Sequence, residues 1–85
     1  MREFTELMAY VCWASGGKLS SSTIPIMDMV LTDGTKELLV RSCLPHREIA
    51  GIITNSVHEI EMGSLETMDK LVRKKASQKL GMRSF

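Results

Sequence analysis

The side chains best equipped for chemistry in this sequence are two thiols and two imidazoles, and their spacing decides whether they could act together. Cys43 and His46 stand three residues apart across Pro45, and a cysteine at the head of a helix has its thiolate favoured by the helix dipole. Cys43 is therefore the best candidate nucleophile. A working nucleophile also needs an orienting acid and donors for a developing oxyanion, and no glycine-rich turn accompanies this pair. His58 sits beside Glu59 in a polar stretch and is expected in solvent. Gly16-Gly17-Lys18 joins two glycines to a lysine but lacks the GxxxxGK[ST] spacing that lets backbone amides cradle a phosphate.

Metal binding fares no better. His46 and His58 are twelve positions apart, and no CxxC or HxxxH spacing supports them. The only cysteines, Cys12 and Cys43, make no disulfide framework; one bridge between them is possible, but buried free thiols in a reducing compartment are the expected state. No enzyme activity, metal or cofactor is expected.

The elements that would position these residues follow from apolar spacing. Phe4, Leu7, Met8 and Val11 recur at helical intervals, with Gly16-Gly17 as the stop and Lys18 at the negative end of the dipole. Tyr10 and Trp13 lie three apart and off the centre of that stripe. They either widen the buried arc or form a contact patch, and tryptophan and tyrosine are common binding anchors. Lys18 to Thr23 is serine-rich and reads as a loop, closed by Pro25.

Two apolar runs, 26–32 and 35–41, flank Asp33-Gly34, a strong short signal for a β-hairpin. A two-residue loop would set Thr32 opposite Thr35, Met29 opposite Leu38 and Met27 opposite Val40. Met27, Met29, Leu31, Leu38 and Val40 would then share one face, with Met27 and Met29 as adaptable partner-binding side chains. Pro45 suits a first helical turn, after which Ile49, Ile52, Ile53, Val57 and Ile60 predict a second helix to about Met62, although 57–62 also alternates like a strand. Gly63 ends it. Ser64 is then expected to cap a third helix with its stripe at Leu65, Met68, Leu71 or Val72, Ala76 and Leu80, closed by Gly81. The expected fold class is α+β: an N-terminal helix, a two-stranded antiparallel β-hairpin and two C-terminal helices, as one small domain over 1–85 completed by oligomerisation.

Composition sets the same expectation of a partner. A chain of 85 residues buries only about 60% of its unfolded surface, which leaves a thin margin of stability. With 44% hydrophobic residues, seven methionines and a net charge of +1, there is apolar surface for a core and an interface. No run approaches the roughly 20 apolar residues of a membrane span, and Glu3 comes too early for a secretory signal, so a cytoplasmic location is expected.

Charge is the strongest asymmetry. From Pro45 to Asp69 five acids face Arg47 alone, a net of −4, whereas Lys70 to Phe85 holds six bases and no acid, a net of +6. Acids early and bases late in a helix complement its dipole, at roughly 0.3 to 1 kcal/mol each. Alternatively, Lys70, Arg73, Lys74, Lys75 and Lys79 form a basic stripe for DNA or RNA, or the acidic segment of one copy meets the basic segment of another. The function expected from all this is non-enzymatic: a small regulator or inhibitor of bacterial or phage type that binds another protein, as an antirepressor binds a transcriptional repressor. A homo-oligomer is expected, with nucleic-acid binding by the C-terminal helix as the alternative.

Overall fold

In the computed structural model, which describes residues 2–81, the N-terminal stripe forms as its spacing demands. Phe4, Met8 and Val11 are buried along α1 (Arg2–Ala14), and Gly16 and Gly17 take φ of 66° and 92° just beyond it. Only glycine enters that region without steric cost, so the helix stops there. Ser15 secures the turn, donating to the Cys12 carbonyl at 2.6 Å and accepting from the Leu19 amide at 3.0 Å.

The β-hairpin does not form. Its two arms are α2 (Thr23–Val30) and α3 (Asp33–Arg41), and no strand occurs among the described residues, so the fold is all-helical rather than α+β. Pro25 sits in the first turn of α2, where its missing amide has no intrahelical acceptor to lose, so it opens a helix instead of closing a loop. Thr32 is the N-cap of α3, with φ −71°, ψ 160°, and its hydroxyl accepts from the Thr35 amide. Asp33 in the first turn and Arg41 in the last complement the dipole of that helix. The Thr-Asp-Gly-Thr stretch thus starts a helix, and Gly34 does not take the positive φ that a hairpin turn would need.

The change of period redistributes the methionines. Two-residue alternation would place Met27, Met29 and Leu31 on one face. The helix turns Met27 inward, with Leu31 buried just past its end, and sends Met29 out. On α3 the buried positions are Thr35, Lys36 and Leu39. Lys36 is satisfied in place: its ammonium reaches Asp28 at 2.9 Å and Asp33 at 4.0 Å, and stands 5.6 Å from the centre of the Phe4 ring. The hydrogen bond from Lys36, then its charge, hold the Asp28 carboxyl below its ordinary pKa.

α4 (His46–Glu61) buries Ile49, Ala50, Ile52, Ile53 and Ser56, so the stretch 57–61 that alternates like a strand continues the helix. Pro45 stands just outside it as the N-cap. α5 (Met68–Lys79) starts later than expected. Thr67, not Ser64, is its cap, accepting from the Lys70 amide at 3.2 Å, which leaves Leu65 outside the helix. Leu71, Val72, Ala76 and Ser77 face the core, and Gly81 closes the helix with φ 71°.

α1 lies at the centre and packs against α2, α3 and α4, while α5 packs against α3 and α4. The core runs from Phe4, Met8 and Val11 through Leu39 to Ile49, Ile53, Val72 and Ala76. Among the described residues no helix is long and apolar enough to cross a membrane.

Candidate functional site

With its core stripe filled by Phe4, Met8 and Val11, α1 turns its two largest remaining side chains outward: Tyr10 is 60% exposed and Trp13 84%. The Tyr10 ring stacks on His46 at the start of α4, with centroids 5.4 Å apart and planes 11° from parallel. That contact holds Tyr10 in place and leaves Trp13 projecting one turn further along. Beside them is a cleft of about 440 Å³ between the end of α1 and the outer face of α4, lined by Ser15, Gly16, Lys18, Arg47, Gly51 and Asn55 among others. Lys18 and Arg47 make no ion pair among the described residues.

A second surface lies toward the other end of α4. α2 does not close onto α4 and α5, and the gap is a groove of about 440 Å³ lined by Ile26, Met27, Val30, Val57, Ile60 and Met68, with Glu61 and Thr67 as its polar members. Met27 forms the floor as a core residue, only 3% exposed, so its part in binding is limited to that edge. Met29 stands clear on the same helix at 81% exposed. The link from Glu61 to Thr67 carries two more exposed apolar side chains, Met62 and Leu65. Ile60 was not separable by spacing from the rest of its apolar stripe, because isoleucine is of the type that usually fills a core.

The basic residues of α5 are largely engaged within the chain. Arg73 approaches Asp69 at 3.6 Å and donates to the hydroxyls of Thr35 and Thr32, both at 3.1 Å. Lys74 reaches Glu66 at 3.7 Å, Lys79 reaches Glu48 at 2.9 Å, and Lys75 donates to Glu59. Lys70 alone of the five makes no ion pair among the described residues; Arg83 lies outside them. The acidic and basic segments therefore meet inside one copy, with two of these four pairs crossing the α4–α5 seam. The hydrogen bond from Lys75 is the main cause that holds the Glu59 carboxyl below its ordinary pKa.

Asp69 has a further role. Its carboxylate accepts from the Thr32 amide at 2.7 Å and the Thr32 hydroxyl at 3.0 Å, fastening the start of α3 to α5. Burial pushes the Asp69 carboxyl up, but the hydrogen bonds from Thr32 and Thr35 and the charge of Arg73 outweigh it and leave its pKa lowered.

The residues first considered for catalysis are not brought together. The Cys43 thiol is exposed and points to the Arg41 carbonyl at 3.9 Å, while the His46 ring is taken up by Tyr10. Cys12 is half-buried, and burial raises its thiol pKa, away from reactivity. Among the described residues no cluster of three or more histidine, cysteine or acidic side chains could hold a metal ion. Comparison with models of protein families, with characterised proteins and with solved structures finds no match to this chain.

Proposed function

We propose that this chain is a non-enzymatic interaction module that binds another protein, a small regulator or inhibitor of the kind an antirepressor exemplifies. The observation that carries this reading is the tryptophan at position 13, 84% exposed beside a tyrosine pinned by His46. A domain this short gains from every apolar side chain it buries, yet its largest one is left in water, at a cost that contact with a partner would recover. Tryptophan and tyrosine at the centre of an interface carry a disproportionate share of binding energy, and a ring already held in position loses little freedom on docking. Lys18 and Arg47 in the cleft near the end of α1, with no ion pair among the described residues, suit a partner surface that sets acidic side chains around an apolar patch. The basic helix lends less to nucleic-acid binding, because four of the five described cations of α5 already face acids.

Affinity purification from the source cell, run in parallel with the intact chain and Trp13→Ala, tests the reading. The expected result is one protein enriched by the intact chain and lost with the variant, followed by direct binding of the two purified proteins. Identical captures from both chains overturn it.

A further inference from the structure

We infer that the cleft between the end of α1 and the outer face of α4 binds a small organic dianion, a phosphate monoester or a dicarboxylate, through Lys18 and Arg47. Among the described lysines and arginines only Lys18, Arg47 and Lys70 make no ion pair, and two of these three line this one cleft. No aspartate or glutamate is among its lining residues, so both charges stand uncompensated in its walls. Arg47 is also placed against the helix field, in the first turn of α4 where the dipole favours acids. A bound dianion answers both conditions. Guanidinium and ammonium groups are strong donors to phosphate and carboxylate oxygens, and two of them match the charge of the ligand.

The wall formed by α4 leaves room for the body of such a ligand. Gly51 lines the cleft, and a side chain at that position would meet nothing within 4 Å, so no neighbour in the chain demands a glycine there. Its backbone does not demand one either, since Gly51 is not among the glycines with positive φ. Glycine weakens a helix interior relative to alanine, and what this one provides in return is open space beside the two cations. The Asn55 side chain, on the same wall, makes no hydrogen bond among the described residues and has its amide free for a ligand. The volume of about 440 Å³ falls within the roughly 300 to 1,000 Å³ of small-molecule sites. A bound dianion would compete with a partner's acids for Lys18 and Arg47, yet its binding needs no partner and is read on the purified chain alone.

Amide NMR titration of the full chain at neutral pH and low salt, with phenyl phosphate and with phthalate as separate probes, tests the inference. Saturable shifts centred on Gly16, Gly51 and Asn55 are expected for at least one probe, with no comparable response to phenol. The probe bound more tightly identifies the acid group. Lys18→Ala and Arg47→Ala should each weaken binding about tenfold, the loss of one charged hydrogen-bond donor. Gly51→Leu should abolish binding by filling the cleft, whereas Lys70→Ala, which removes the unpaired cation outside it, should leave binding unchanged. All of these side chains lie at the surface, and circular dichroism checks that the variants keep the fold. Trp13→Ala should bind the probes as the intact chain does, whatever its effect on capture of a protein. No saturable shift with either probe at tens of millimolar, or shifts that Lys18→Ala and Arg47→Ala leave unaltered, overturns the inference. Binding of a polyglutamate peptide but of neither small probe overturns it too, and gives the cleft to the acids of a protein partner.

Discussion

Met68 and Asp69 are neighbours in the first turn of α5, and they face two differently finished parts of the molecule. Asp69 looks toward α3, where the Thr32 amide and hydroxyl and the Arg73 guanidinium close the seam with short polar contacts. Met68 looks toward α2, where the walls stand apart and an apolar groove stays open. The difference lies in which groups are left unsatisfied. The start of a helix has amides without intrahelical acceptors, and any fold that buries it must supply them, so the α3–α5 seam is closed from within. An apolar wall has no such directional need. It can stay open at a modest cost until something covers it.

The largest effect expected from this contrast comes from two isoleucines of α4. Ile53 is fully buried and Ile60 stands on the groove wall at 40% exposed. Ile53→Ala should cost about 2 to 5 kcal/mol, enough to leave so short a chain near its unfolding midpoint, whereas Ile60→Ala should cost under about 1 kcal/mol to the monomer. Urea denaturation at low protein concentration checks both, and equal costs would mean that the groove is closed in solution.

Next comes the seam itself. Asp69→Asn should destabilise by about 1 to 3 kcal/mol at neutral pH, through loss of a charged acceptor at a half-buried site. The intact protein should show the matching acid dependence. Because the folded pKa of Asp69 lies below the unfolded value near 3.9, its contribution is fully present above that value and is lost as pH falls through the folded pKa. Asp28 and Glu59, lowered in the same direction, add to the loss. Thermal melts from pH 6 downward should fall below about pH 4 and fall less steeply in Asp69→Asn.

The smallest effect concerns an imperfection on the closed side. Ser56 donates its hydroxyl to the Ile52 carbonyl at 2.7 Å, but the hydroxyl of the equally buried Ser77 finds no partner among the described residues. Ser77→Ala should therefore stabilise by about 1 kcal/mol and Ser56→Ala should not, which differential scanning calorimetry can resolve.

How much of this was legible in the sequence varies along the chain. The stripes Phe4, Met8, Val11 and Ile49, Ile52, Ile53 announce helices because a 3.6-residue period admits no other reading over several turns. The segment 26–41 holds too few turns for the period to decide, and Asp33-Gly34 suits either a hairpin turn or the start of a helix. The overlooked signal was Thr32, whose hydroxyl lies three residues before the amide of Thr35. The same geometry at Thr67 and Lys70 sets the start of α5 and was likewise hidden behind Ser64. Trp13 and Tyr10 were visible as candidates because they sit off the core stripe. The groove was not, because its walls come from three helices that no local pattern relates.

The sequence alone determined that α1, α4 and α5 are helices, where α1 ends, and that acids and bases divide within the C-terminal half. These are matters of local period, glycine conformation and composition. The tertiary structure decided what lies between Thr23 and Arg41, because short segments take their conformation from what they pack against. It also decided the use of the charges. Whether the basic residues face solvent or acids depends on where α4 lies relative to α5, and that placement follows from burying both apolar faces on a single core.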